Sequence, residues 1–196
     1  MEYNKKQLVQ DFEKITNAII RWIQQDVSKL STQQLHHKPS PDKWSVAECL
    51  QHLVYYGDFY IPTIYNILAK YTATTTQETY TSGWLGEKMI QSIKIQPDGN
   101  VMKMKAPKDS NPSLPQYILP KENVTDILAL FLLQQQQYLA FIETTKDCDW
   151  QTIKIPTTLS NWIKVRLGDI LQVLFYHNER HVLQAKNVLK SPSFPS

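Results

Sequence analysis

His177 and His181 stand four residues apart in a segment with helical patterning. On a helix that spacing places both imidazoles on one face, about 5 to 6 Å apart at Cβ. Two ring nitrogens so placed can share one divalent ion. Burying both rings in an apolar stripe leaves four ring nitrogens to satisfy, and a metal with polar groups behind the rings does this better than Leu, Val or Phe. The residues between them narrow the chemistry. The run His177-Asn178-Glu179-Arg180-His181 has its glutamate second after the first histidine, not first as in the His-Glu-x-x-His proteases. At about 100° per residue, Glu179 lies about 200° around the helix from His177 and points away from a shared metal. Glu179 and Arg180 read as a solvated or interface-facing pair.

Further donors must come from another part of the chain. His36 and His37 fall in a polar, proline-bounded link and read as surface residues. His52 lies inside a helical segment, flanked by Cys49, Leu53, Tyr55 and Tyr56. Three histidines on two helices give three nitrogen donors and leave coordination positions open, which is the arrangement of a catalytic rather than a closed structural site.

The elements that must position these residues follow from periodicity. Leu8, Phe12, Ile15, Ile19, Trp22 and Ile23 recur at three- and four-residue intervals and predict a first helix over about residues 5 to 28. Ser45 and Glu48 have capping-box spacing and start a second, with Trp44 placed to staple onto its first turn. Pro62 lies within that pattern and predicts a kink or break. Residues 71 to 120 hold five of the eleven prolines and read as a long crossover, with one short helix over about residues 85 to 93. Trp84, Leu85, Met89, Ile90, Met102 and Met104 are its expected apolar anchors. A third helix is expected from Lys121 or Glu122 to Thr145, with Ile127, Leu130, Phe131, Leu133, Tyr138, Phe141 and Ile142 in the core and Gln134 to Gln137 as a solvated face. A loop around Pro156 leads to a fourth helix over about residues 165 to 189, whose stripe is Leu167, Ile170, Leu174, His177, His181, Ala185 and Val188. Four long helices with a long connection describe an all-α four-helix bundle, read as one domain over residues 1 to 196. Such bundles build their sites from facing helices.

Composition excludes other classes. The chain has 196 residues and a formal charge of +3, with Lys and Arg spread rather than clustered with aromatics, which argues against a nucleic-acid surface. The longest apolar run, Ile127 to Leu133, is far shorter than the roughly 20 residues that span a bilayer, so no membrane role is expected. No apolar leader follows Met1, and the expectation is a cytoplasmic protein. Cys49 and Cys148 read as small hydrophobes, not as a disulfide or nucleophiles.

The run Lys43-Trp44-Ser45-Val46-Ala47-Glu48-Cys49-Leu50-Gln51-His52-Leu53, together with His177-x-x-Arg180-His181-x-x-Gln184, resembles the DinB-like (DinB/YfiT) superfamily. The resemblance implies a four-helix bundle with a long crossover between its second and third helices. It also implies a divalent metal, commonly nickel or zinc, held by His52, His177 and His181. Proteins of this kind include S-transferases that use low-molecular-weight thiols such as bacillithiol or mycothiol, a maleylpyruvate isomerase and proteins described as metal-dependent hydrolases. The leading expectation is therefore a metal-dependent enzyme acting on a small-molecule substrate. Thiol transfer is favoured over hydrolysis because no carboxylate is placed as a general base: Glu48, one turn before His52, is explained by capping. The alternatives are a YfiT-type hydrolase and a non-catalytic, metal-stabilised bundle or homodimer, with Trp150 and Trp162 as candidate interface aromatics.

Overall fold

A computed structural model of the chain describes residues 1–71, 75–114 and 124–195. It is mostly helical, as the periodicity predicts. Four long helices form the bundle: α1 (Lys5–Gln25), α3 (Val46–Leu68), α5 (Val124–Thr145) and α6 (Leu167–Leu189). Each of α1 and α3 packs against both α5 and α6, so α3 and α6, which carry the three histidines, are direct neighbours. Two apolar clusters fill the interior. One is built around Phe12, Tyr60, Ile64, Phe141, Trp150 and Phe175 and the other around Trp22, Ile23, Leu50, Leu53, Phe131 and Val182. No helix among the described residues is long and apolar enough to cross a membrane.

The start of α3 follows the sequence signal. Ser45 Oγ accepts from the Glu48 amide, and the Glu48 carboxylate accepts from the Ser45 amide at 2.8 Å. Helix α1 stops at Gln25, short of the expected end, and continues as a 3₁₀ turn (Val27–Lys29) and a short helix α2 (Thr32–Leu35) with its own Ser31–Gln34 capping box. Pro62 does not break α3, which runs on to Leu68. The lost backbone hydrogen bond is outweighed by the burial of Tyr60, Ile61, Ile64 and Leu68 on both sides of it. Thr63 also donates its hydroxyl to the Phe59 carbonyl one turn back.

The connections depart further from expectation. The segment around Pro156 is an antiparallel hairpin, β3 (Lys154–Thr157) with β4 (Ser160–Arg166), not a loop. Ile155 and Val165 pair across it and are buried, while the register shifts at Pro156 and Thr157, where proline has no amide to donate. A second two-stranded sheet joins β1 (Glu2–Asn4) to β2 (Thr79–Thr81) of the crossover. The crossover helix α4 (Trp84–Ile93) packs on α6. Its anchors are Tyr80 and Ile90, both buried. Of the expected anchors, Trp84, Leu85, Met102 and Met104 are exposed. The expected start of α5 at residue 121 or 122 lies outside the described residues. On α5, Phe131, Tyr138, Phe141 and Ile142 are buried and Gln136 is exposed, as expected, but Leu133 faces solvent and Gln134 and Gln135 are buried. Three hydrogen bonds explain the burial of the two glutamines: Gln134 Nε2 donates to the Val54 carbonyl and to Asp58, and Gln135 Nε2 donates to Asn178. Trp150 is buried too, its indole donating to the Thr145 carbonyl; Trp162 is 94% exposed. Cys49 and Cys148 are both free, and burial pushes the Cys49 thiol up.

Candidate metal centre

His52 lies in the second helical turn of α3 and His177 and His181 lie on consecutive turns of α6, so the packing of these two helices brings three imidazoles together. One ring nitrogen from each lies within 4.8 Å of the others, and all three residues are buried. His52 Nε2 and His177 Nε2 are 3.2 Å apart. Nitrogens bound to one ion at about 2.0 to 2.1 Å sit about 2.8 to 3.4 Å apart for angles between octahedral and tetrahedral, so this pair fits a shared ion.

The nitrogens on the far side of two rings are committed. His52 Nδ1 lies 2.6 Å from the Ser110 carbonyl oxygen, which can only accept, so Nδ1 carries the proton and Nε2 presents its lone pair to the cluster. His181 Nδ1 donates to Gln184 Oε1 at 3.0 Å with the same consequence. Outer hydrogen bonds of this kind fix tautomer and ring orientation in metal sites. Burial pushes the His52 imidazole down to about 4, with the Arg180 charge adding to the effect and the Ser110 hydrogen bond opposing it. Burial, reinforced by the neighbouring imidazoles, holds His177 and His181 well below the ordinary histidine range. All three are therefore neutral near pH 7, the state in which imidazole ligates.

Aromatic rings wall the cluster. Trp44, expected as a helix staple, has its ring centroid 4.9 Å from that of His52 and stacks over His181 at 5.5 Å. Tyr56 lies edge-on to His52 and His177, with centroids 5.0 and 4.5 Å away. The crossover closes another side through a 3₁₀ turn (Lys108–Ser110) that brings the Ser110 carbonyl to His52. Arg180 is not a solvated partner of Glu179. It is half-buried and donates to the carbonyls of Ser92 and Met102, strapping the crossover to α6; Glu179 is half-buried as well, and burial raises its carboxyl. His36 and His37 stay outside the cluster, and His37 bonds to Ser193 and packs on Phe194. Glu48 is engaged by both the Ser45 amide and Lys38, at 2.8 and 3.0 Å.

A cleft of about 260 Å³ opens beside His52, between α3, the crossover turn and α5; its walls include Asp58, Asp109, Ser110, Ile127 and Leu130. A larger hollow of about 380 Å³, lined by Ile67, Lys70, Lys154 and Lys164, is remote from the histidines, since Ile67 lies about 22 Å along α3 from His52 at 1.5 Å per residue. It is not the site of this chemistry.

Sequence reasoning singled out the three histidines but missed Tyr56, Ser110 and the placement of Trp44. The spacing of Tyr56, four residues after His52, carried a usable signal. A backbone carbonyl such as that of Ser110 carries none. Searches against curated proteins and against solved structures give no match. The family model described as the DinB superfamily matches residues 21–185, a span that includes all three histidines, and the chain belongs to that superfamily.

Proposed function

We propose that His52, His177 and His181 together hold one divalent ion, nickel or zinc, and that the protein uses it to transfer a low-molecular-weight thiol of the bacillithiol type. The observation that supports this is the convergence of three buried, neutral imidazoles whose donor atoms lie within 4.8 Å of one another. A divalent ion with open positions supplies Lewis acidity, lowering the pKa of a thiol or water placed on it.

The chain's own groups supply orientation and exclusion of water. The Ser110 carbonyl and Gln184 amide oxygen hold the outward protons of His52 and His181, fixing both rings. Trp44 and Tyr56 cover the rings' flanks and limit the access of water. Arg180 bonds only to neutral carbonyls among the described residues, so its charge is uncompensated there. That charge disfavours protonation of all three imidazoles and favours an anionic thiolate over a neutral thiol. Thiol transfer is preferred to hydrolysis because the two carboxylates nearest His52 in sequence are already engaged, Glu48 by Ser45 and Lys38 and Asp58 by Gln134.

The test is metal content by mass spectrometry after stripping and reconstitution with nickel or zinc, followed by assays of thiol conjugation and of ester and amide hydrolysis. The expected result is one ion per chain and thiol conjugation, both lost in a His181→Ala variant that keeps its helical circular dichroism. A chain that takes up neither metal overturns the proposal, and hydrolysis without thiol conjugation overturns the assignment of the reaction.

A further inference from the structure

The hairpin of β3 and β4 packs beside the C-terminal half of α3 and carries exposed side chains that the metal centre does not use. Trp162 is 94% exposed and Leu159, in the two-residue turn between the strands, is 63% exposed. This exposure does not come from a loose loop. The Thr158 amide donates to the hydroxyl of buried Tyr60 at 3.2 Å, and the Trp162 amide donates to Ser160 Oγ at 3.2 Å, so the turn is tied to α3 while its apolar side chains face outwards. Next to the tip, the strand register gathers charge of one sign. Lys154 stands opposite Arg166, whose guanidinium donates to the neutral Thr81 carbonyl. Pro156 stands opposite Lys164, which makes Lys154 and Lys164 diagonal neighbours about 7 to 8 Å apart on one face. Trp162, two residues before Lys164 on β4, shares that face. Lys70, just past the end of α3, joins Lys154 and Lys164 in lining the hollow of about 380 Å³. No carboxylate among the described residues lines this hollow or forms an ion pair with any of the three lysines. Like charges facing each other across a ladder are destabilising, and an exposed indole leaves a large apolar surface in water. A partner that is anionic at its surface and apolar just beneath relieves both.

We propose that the hairpin docks on an anionic phospholipid surface, with Trp162 and Leu159 in the interfacial layer and the ammonium groups of Lys70, Lys154 and Lys164 among the headgroup phosphates. Charge complementarity gives the sign of the partner, and the shape of the tip gives its kind. The two apolar side chains project from a turn instead of lining a groove. A protein partner needs a matching pocket for each of them, whereas the bilayer interface accepts an indole wherever it enters. The contact is one-sided and requires no spanning helix. Three lysines and two apolar side chains make it reversible, and it is independent of the metal and thiol chemistry proposed above.

The test is co-sedimentation of the full chain with vesicles of phosphatidylcholine alone and of phosphatidylcholine mixed two to one with phosphatidylglycerol. The variants are Trp162→Ser and the pair Lys154→Gln with Lys164→Gln. All three side chains are exposed, so both variants should keep the circular dichroism of the wild type. The wild type is expected to sediment with the mixed vesicles and to stay in solution with the neutral ones. Loss of two lysines should weaken the partition into mixed vesicles about thirtyfold, roughly fivefold for each cation at an anionic surface. Trp162→Ser should weaken it about tenfold, the size of burying part of one large apolar side chain. No binding to the mixed vesicles overturns the proposal, as does binding that both variants leave within twofold or that the neutral vesicles match. A dimer seen by sedimentation velocity without vesicle binding, and abolished by Trp162→Ser, also overturns it and gives the tip to a second copy of the chain.

Discussion

The depressed basicity of His52 ties the fold to pH in a measurable way. The ordinary histidine value is 6.5, and burial takes His52 to about 4, so between these values the unfolded chain binds a proton that the folded chain refuses. Stability is therefore present in full above pH 6.5 and is lost as pH falls through the window from 6.5 to 4. For one group the loss is 1.36 kcal/mol per unit of pKa difference once fully developed. Between pH 7 and pH 5 this comes to about 2 kcal/mol for His52, which is only 3% exposed and so poorly screened by solvent. The assay is urea unfolding of the metal-free protein in chelator at pH 7 and pH 5, followed by far-ultraviolet circular dichroism, for the wild type and His52→Gln. Glutamine cannot take the proton, and groups elsewhere titrate in both proteins, so the difference between the two losses isolates position 52. The wild type should lose about 2 kcal/mol more than the variant. Equal losses, within about 0.5 kcal/mol, would refute the claim that burial holds this imidazole neutral.

Three further substitutions probe the frame around the site. Gly57→Ala drives a methyl to within 2.2 Å of Gln134 Oε1, and moving that side chain sacrifices its buried contacts to Val54 and Asp58. A destabilisation of about 2 to 3 kcal/mol is expected, seen as a melting temperature lower by roughly 5 to 10 °C; an unchanged melting temperature would show that the amide relocates freely. Arg180→Met removes the donors to Ser92 and Met102, and hydrogen exchange between residues 92 and 103 should accelerate about tenfold while one ion per chain still binds. Unchanged exchange there would mean that Arg180 does not hold the crossover. Ser45→Ala removes the hydroxyl that caps α3 and should cost about 1 kcal/mol in urea unfolding, with metal stoichiometry intact because His52 lies beyond the first turn.

Those parts of the fold that depend on local periodicity were legible in the sequence. The stripe of α6 from Leu167 to Val188 is buried throughout, and the capping box at Ser45 and Glu48 sets the start of α3 as expected, because both signals need only neighbouring residues. Features decided by partners distant in sequence were not. Gln134 and Gln135 read as a solvated face because glutamine is a good helix former that rarely goes inside. Their burial requires acceptors on Val54 and Asp58 of α3 and on Asn178 of α6, which no local pattern on α5 reveals. The hairpin around Pro156 was hidden in the same way. Proline argues against a strand, yet its missing donor is harmless at a register shift, and Ile155 and Val165 become buried only when the strands pair.

At the site, the i to i+4 pair of histidines was readable from spacing, and His52 from its place on a helix and the family resemblance. The polar frame around them was not, because much of it is backbone. The Ser110 carbonyl orients His52 whatever side chain stands at residue 110, and the Ser92 and Met102 carbonyls receive Arg180 equally without regard to side-chain identity. The crossover therefore acts on the triad through its path rather than its composition. This explains why the apolar residues expected to anchor it are mostly exposed while a buried tyrosine, one isoleucine and a guanidinium hold it in place. It also separates two kinds of damage: a side-chain change at residue 110 leaves the acceptor of His52 where it is, whereas a change in the length of the segment between Arg180's two carbonyl contacts and Ser110 moves that acceptor and frees the imidazole to turn away from its neighbours.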